Sequence, residues 1–97
     1  MARFTDLIER QLTFFVEDNA DLIAACDQAE RAYDDAGREE AEERYSEFLE
    51  LVEEAVDALA EIRDTYAQTL EGDVAVDYEQ AFDREVGTRM PRFTLGL

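Results

Sequence analysis

The side chains that could do chemistry in this sequence are mainly carboxylates, and many of them fall in two clusters. The clusters lie close together in the chain and consist of Glu39, Glu40, Glu42 and Glu43, and of Glu50, Glu53, Glu54 and Asp57. On a helix, carboxylates three or four residues apart lie on one face and can share a hydrated cation. A tight calcium or magnesium site needs oxygens that converge from a loop or several helices, and no calcium-loop spacing is present. We therefore predict solvated helix faces and no metal site.

Other side chains suited to catalysis are scarce. The sequence has no histidine, the commonest general base and metal ligand, and it has a single cysteine, Cys26. Its four glycines stand apart from one another, so they form no phosphate-binding loop. No nucleophile is paired with a base. The sequence therefore predicts no catalytic residue and no cofactor, and it does not indicate an enzyme.

The elements that must carry these side chains are long helices, because apolar residues recur at alternating spacings of four and three. This is the heptad spacing of a coiled-coil seam. The first seam is Ile8, Leu12, Phe15, Asn19, Leu22, Cys26, Ala29 and Tyr33, and the second is Ala41, Tyr45, Phe48, Val52, Ala55, Leu59, Ile62, Tyr66 and Thr69. A polar residue such as Asn19 at one seam position commonly fixes helix register.

The chain must turn between the two seams, because they are out of phase by one residue. Continuing the first seam past Tyr33 would bury glutamates, whereas Gly37 can adopt the left-handed conformation that ends a helix. We predict helix 1 over residues 5–36 and helix 2 over residues 38–71. A connection this short makes them antiparallel neighbours in a hairpin.

A shorter helix and a tail follow the hairpin. Tyr78, Phe82 and Val86 share one face of a predicted helix over residues 77–87, and Pro91 prevents its continuation. We expect residues 88–97 to be extended. The apolar stripes of the hairpin are wider than a two-helix contact covers. The predicted fold is therefore all-α: the hairpin pairs with a second copy into a four-helix bundle, or the short helix completes a monomeric three-helix bundle.

The charge of the chain is strongly negative. Its 97 residues include 26 acidic and 9 basic residues, a formal charge of −17, and all nine basic residues are arginine. Acidity spread along both helices, with no lysine, resembles the proteins of salt-adapted (haloarchaeal) organisms, in which concentrated salt screens the repulsion. The alternative is an acidic surface that captures a basic partner. Direct nucleic-acid binding is not expected, because it requires clustered positive charge.

The expected location is the cytoplasm. No apolar run approaches the roughly 20 residues of a membrane span, so no membrane partner is predicted. A single cysteine cannot form an internal disulfide and fits a reducing compartment. On the first seam, Cys26 is expected to be a small buried apolar side chain.

The tail supplies the candidate interaction surface, because it is the one basic stretch of the chain. Its candidate residues combine arginines with apolar side chains and are Arg89, Met90, Arg92, Phe93, Leu95 and Leu97. The tail either packs on its own assembly or binds another protein.

No motif resembles a named functional family closely enough to transfer a function. We expect a protein-interaction or assembly module that forms a homodimer. The alternative is a small-ligand or cation-binding bundle that uses Asn19, Tyr66 and carboxylates at the open end of the hairpin.

Overall fold

A computed structural model describes residues 3–94 of the chain, and its described part consists of helices. Helix α1 spans Thr5–Asp18, α2 spans Ala20–Asp35, α3 spans Ala41–Ala67 and α4 spans Gly72–Arg89. A short 3₁₀ turn, Pro91–Phe93, follows α4. The predicted all-α class is confirmed. Within residues 3–94, no helix combines the length and apolar character needed to cross a bilayer.

The predicted helical hairpin is present as α2 and α3. At its closed end, the rings of Tyr33 and Tyr45 are 5.1 Å apart between centroids. Helix α4 then runs back along α3, because Arg63 pairs with Asp83 and Tyr66 packs against Tyr78. In the single chain α4 therefore covers part of the hairpin, as in the three-helix alternative. Pairing with a second copy stays a prediction.

The first predicted helix, over residues 5–36, is wrong in one respect, because it is interrupted at Asn19. The backbone there has φ −116° and ψ 28°, outside the α-helical region. The Asn19 amide Nδ2 donates a hydrogen bond of 3.0 Å to the carbonyl of Phe15, which also accepts the backbone N–H of Asn19. A short polar side chain can thus hydrogen-bond locally and divide the helix into α1 and α2.

The later helix bounds also differ from the predictions. Helix α3 covers 41–67 rather than 38–71, because residues 38–40 and 68–70 form turns. Helix α4 begins at Gly72 and ends at Arg89, so it is longer at both ends than the predicted 77–87. Residues 88 and 89 are helical, and residues 91–93 form a turn, so this part of the predicted tail is not extended.

The hydrophobic core lies where α1, α3, α4 and the 3₁₀ turn meet. Its fully buried residues come from every element and are Ile8, Leu12, Phe15, Cys26, Ala55, Leu59, Tyr78, Phe82, Val86 and Phe93. The core is thus at one end of an elongated molecule of 50 × 24 × 22 Å. By contrast, no residue from 27 to 50 is buried. We call residues 27–50, which close the hairpin, the arm.

Candidate functional site

The described residues of the predicted interaction surface line one groove. The groove has a volume of about 590 Å³, and its walls come from α1, α2 and the end of the chain: Val16, Ile23, Glu30, Arg89, Met90, Pro91, Arg92 and Phe93. A smaller groove of about 250 Å³ adjoins it at Val16, Arg89 and Met90. Leu95 and Leu97, the other two candidates, lie outside the described residues.

The end of α4 and the turn after it aim this segment at α2. Met90 leaves the helical conformation, with φ −138° and ψ 64°, although its N–H still donates to the carbonyl of Val86. Pro91 has no N–H and begins the 3₁₀ turn, in which Phe93 N–H donates to the Met90 carbonyl over 2.8 Å. The chain therefore folds back on itself. We call residues 90–94 the strap.

Arg92 and Phe93 attach the strap to the helices. The guanidinium of Arg92 donates to Asp27 Oδ1 over 2.5 Å and to Glu30 Oε1 over 3.1 Å. The ring of Phe93 is buried and meets Phe15 edge-on, with 6.3 Å between centroids. Burial acts to lower the pKa of Arg92, but its hydrogen bonds to the two carboxylates outweigh that effect and raise the pKa. Its charge is therefore fixed at any pH at which the protein folds.

Arg89 stands at the other end of the groove and connects α4 to α1. Its Nε donates to Glu85 Oε1 and its Nη2 donates to Glu9 Oε1, each over 2.9 Å. Both guanidiniums of the groove are thus engaged with carboxylates of the same chain. Of the two predicted roles of the tail, the contacts of residues 89–94 match packing on its own chain.

Sequence reasoning missed the helix residues of this groove. Val16 and Ile23 lie beside the first seam, and such apolar positions outside the seam were the available signal. Asp27 and Glu30 had no comparable signal, because each is one of many carboxylates and Arg92 is more than 60 residues away in the chain.

Cys26 directly precedes Asp27, which is one of the partners of Arg92. Its side chain is fully buried, as predicted, and belongs to the same core cluster as Phe93. Burial raises the pKa of the thiol above its ordinary value, and the nearby positive charge of Arg92 partly opposes this rise. In this structure the Cys26 thiol is therefore protonated at neutral pH and is shielded from solvent.

The residues of the ligand-binding alternative are not brought together. Asn19 bonds locally to Phe15, whereas Tyr66 packs on Tyr78, which in turn meets Phe4 just before α1. Residues 4 and 19 are roughly 22 Å apart along a helix at 1.5 Å per residue. The carboxylates of both predicted clusters are exposed, and residues 3–94 contain no group of three or more potential ligands placed for a metal ion.

The arm presents a second surface, and the sequence already indicates Tyr33 and Tyr45 near the turn either as core residues or as a small binding surface. Tyr33, Tyr45 and Leu49 have 37%, 44% and 38% of their surface exposed, although the first two lie on the predicted seams. A two-helix contact is too narrow to enclose them. The arm is therefore an apolar surface with acidic flanks.

Comparison with known protein families, with curated proteins and with solved structures found no match for this chain.

Proposed function

We propose that the protein is a non-catalytic assembly module, and that two copies pair through their arms. The observation that carries this proposal is the absence of any buried residue from 27 to 50, although this segment contains large apolar side chains. A two-stranded helical hairpin of this kind is marginal alone, because each helix buries only one narrow stripe. A second hairpin supplies the missing apolar surface.

Self-association is favoured over an unrelated partner by the shape of the arm. When two identical patches meet about a two-fold axis, Tyr45 or Leu49 of one copy faces the same region of the other. The four helices then form a bundle, whose core these residues enter. Each large apolar side chain moved from water to such a core contributes about 1.5–3 kcal/mol when burial is complete.

Salt is part of the proposal, because the arm is acidic. Its carboxylates outnumber its three arginines: they are Asp27, Glu30, Asp34, Asp35, Glu39, Glu40, Glu42, Glu43, Glu47 and Glu50. Two arms repel each other in dilute buffer, and concentrated salt screens that repulsion. We place the protein in the cytoplasm of a salt-adapted organism, which supplies such salt, and the composition and the single thiol support this setting.

Light scattering in about 2 to 3 M KCl, where the Debye length falls below 3 Å, tests the proposal. The wild type should have the molar mass of a dimer, and Leu49→Asp should have that of a monomer. Val76→Asp is the matched control, because Val76 is 48% exposed but lies on α4, away from the arm. A monomeric wild type, or equal loss of mass in both variants, would reject the arm as the interface.

A further inference from the structure

The strap is held to the helices by side chains alone. The described backbone hydrogen bonds of residues 90–94 stay within α4 and the strap itself: Met90 to Val86, Phe93 to Met90 and Thr94 to Pro91. Its attachments to the other helices are the ion pairs of Arg92, the buried ring of Phe93, the packing of Met90 against the core and the contact of the 3₁₀ turn with α3. Opening the strap therefore breaks no backbone hydrogen bond of α1, α2 or α3.

The ion pairs of Arg92 are the weak part of this attachment, and Arg92 also protects the ring of Phe93. The ion pairs are partly exposed, with 30% of the Arg92 side chain and nearly half of each carboxylate open to solvent. Water and salt therefore screen them. The Arg92 guanidinium also covers the Phe93 ring, 5.0 Å from its centroid, so releasing Arg92 uncovers the ring.

The strap also has a place to pivot. Met90 lies between α4 and the 3₁₀ turn with non-helical dihedral angles. Gly87, about one turn earlier, has open space on the side where a β-carbon would lie, with no atom from outside its own stretch of helix within 4 Å of that position. Rotation about Met90 can move residues 91–94 without displacing Val86, whose side chain is fully buried in the core.

We propose that residues 90–94 are a latch that opens while the four helices stay folded, and that its opening exposes Cys26 and extends the groove inward toward Phe15. Segments whose backbone shares no hydrogen bonds with the neighbouring helices commonly open at lower free energy than the whole fold. This inference goes beyond the proposed pairing of arms, because it concerns how residues 90–94 are attached within one chain.

Alkylation of the thiol by iodoacetamide, followed by mass spectrometry of the intact chain, measures the opening. We compare the wild type with Arg92→Ala and with Arg44→Ala, a control that loses a similarly exposed ion pair with Glu47 on the arm. Loss of about 1 kcal/mol of ion pairing corresponds to roughly fivefold faster labelling. We expect that increase for Arg92→Ala, no increase for Arg44→Ala, and equal unfolding midpoints for the two variants.

Urea below the unfolding transition separates local from global opening. Global unfolding exposes a large surface, so its labelling rate rises steeply with urea, whereas opening of five residues gives a nearly constant rate. A constant rate in the wild type supports the latch. A rate that follows global unfolding, or Arg92→Ala labelling no faster than wild type, would overturn it.

Two further variants test whether the change in labelling rate could come from partial unfolding or from a change in dimerisation. Phe93→Leu retains an apolar side chain while removing the contact between aromatic rings, and should also accelerate labelling if circular dichroism shows the native helix content. The monomeric Leu49→Asp chain should label at the wild-type rate, because Leu49 is not among the residues that hold the strap, which are Asp27, Glu30 and Phe15. Slower or faster labelling in Leu49→Asp would contradict a latch confined to one chain.

Discussion

Tyr78 is the residue that unites the parts of the core. Its ring contacts those of Phe4, Tyr66 and Phe82, at centroid distances of 5.4, 4.8 and 6.0 Å. Its hydroxyl donates a 2.8 Å hydrogen bond to Gln11 Oε1, so the polar end of a fully buried residue has a partner on α1. The same side chain therefore joins three helices and the residue before α1.

Alkaline titration tests the environment of Tyr78. Burial raises its pKa from 10.0 to about 12. Because the unfolded chain releases this proton first, stability should fall as pH rises from 10 to 12. Ultraviolet titration should show one tyrosine ionising last, and Tyr78→Phe should remove that step. Tyr33→Phe, which alters an exposed ring, should leave it in place.

The same variant has a stability consequence. Tyr78→Phe removes the donor to Gln11 but keeps the aromatic ring, so we expect a loss of about 1 kcal/mol in the free energy of unfolding. Urea denaturation measures it, with Tyr33→Phe expected to be nearly neutral. If Tyr78→Phe left the free energy of unfolding unchanged, water would be replacing the hydroxyl as the partner of Gln11 at no cost in stability.

At the scale of elements, the heptad pattern predicted the helices and much of the core. Ile8, Leu12, Phe15, Cys26, Ala55 and Leu59 are on the predicted seams and are buried. The pattern could not predict the break at Asn19, because that residue occupies a seam position in either a continuous or an interrupted helix. The heptad pattern could not predict that Tyr33 and Tyr45 are exposed. It shows that a helix face is apolar, but it does not show which other part of the molecule covers that face.

The strap escaped prediction for a different reason. Proline at 91 correctly excluded a continuing helix, but it does not specify the direction of the chain beyond Met90. That direction depends on a ring buried against Phe15 and on carboxylates of α2, and these contacts exist only after the helices pack.

The prediction for the backbone conformation of Gly37 is wrong. The sequence predicts a left-handed conformation for Gly37, yet the positive-φ residue among those described is Gly72, with φ +48° at the start of α4. Gly37 also has open space where a β-carbon would lie. The α2–α3 turn therefore does not depend on glycine, whereas the α3–α4 turn does.

Paired alanine substitutions test this difference. Gly37→Ala should stabilise the protein by about 0.4–1 kcal/mol, because alanine restricts the unfolded chain and meets no clash. Gly72→Ala should destabilise it by about 1 kcal/mol or more, because a side chain strains the positive φ. Chemical denaturation of both variants gives the sign of each change in the free energy of unfolding. A loss of stability in Gly37→Ala would show that the α2–α3 turn needs glycine.

At the scale of the whole molecule, the charge of −17 lies on a narrow body of 50 × 24 × 22 Å. Few of the carboxylates pair with the nine arginines, and the ion pairs of Arg63, Arg89 and Arg92 all lie in or beside the bundle that contains the core. The base of the arm shares the pairs of Arg92 through Asp27 and Glu30, and farther along the arm Arg44 pairs with Glu47 within a single helix. Repulsion is therefore least compensated in the part of the molecule that is also least buried.

Salt dependence of unfolding tests this uneven distribution. Lowering KCl from 1 M to 0.1 M lengthens the Debye distance from about 3 Å to about 10 Å, so the melting temperature should fall as carboxylates repel one another over longer distances. Replacing Glu39, Glu40, Glu42 and Glu43 by glutamine should reduce that fall, because these side chains are exposed and close together at the arm. Thermal unfolding is followed by circular dichroism in chains that also carry Leu49→Asp. The chain with the four glutamates and the chain with the four glutamines are then both expected to be monomers, so dimerisation does not affect the comparison.

The matched control for this comparison removes the same number of charges elsewhere. Replacing Glu71 and Glu79 by glutamine, and Asp73 and Asp77 by asparagine, lowers the charge equally, but on α4 and the residue before it, away from the arm. We expect the arm substitutions to flatten the salt dependence more. Equal flattening would mean that only net charge matters, and the salt requirement would then belong to the molecule as a whole and not to its arm.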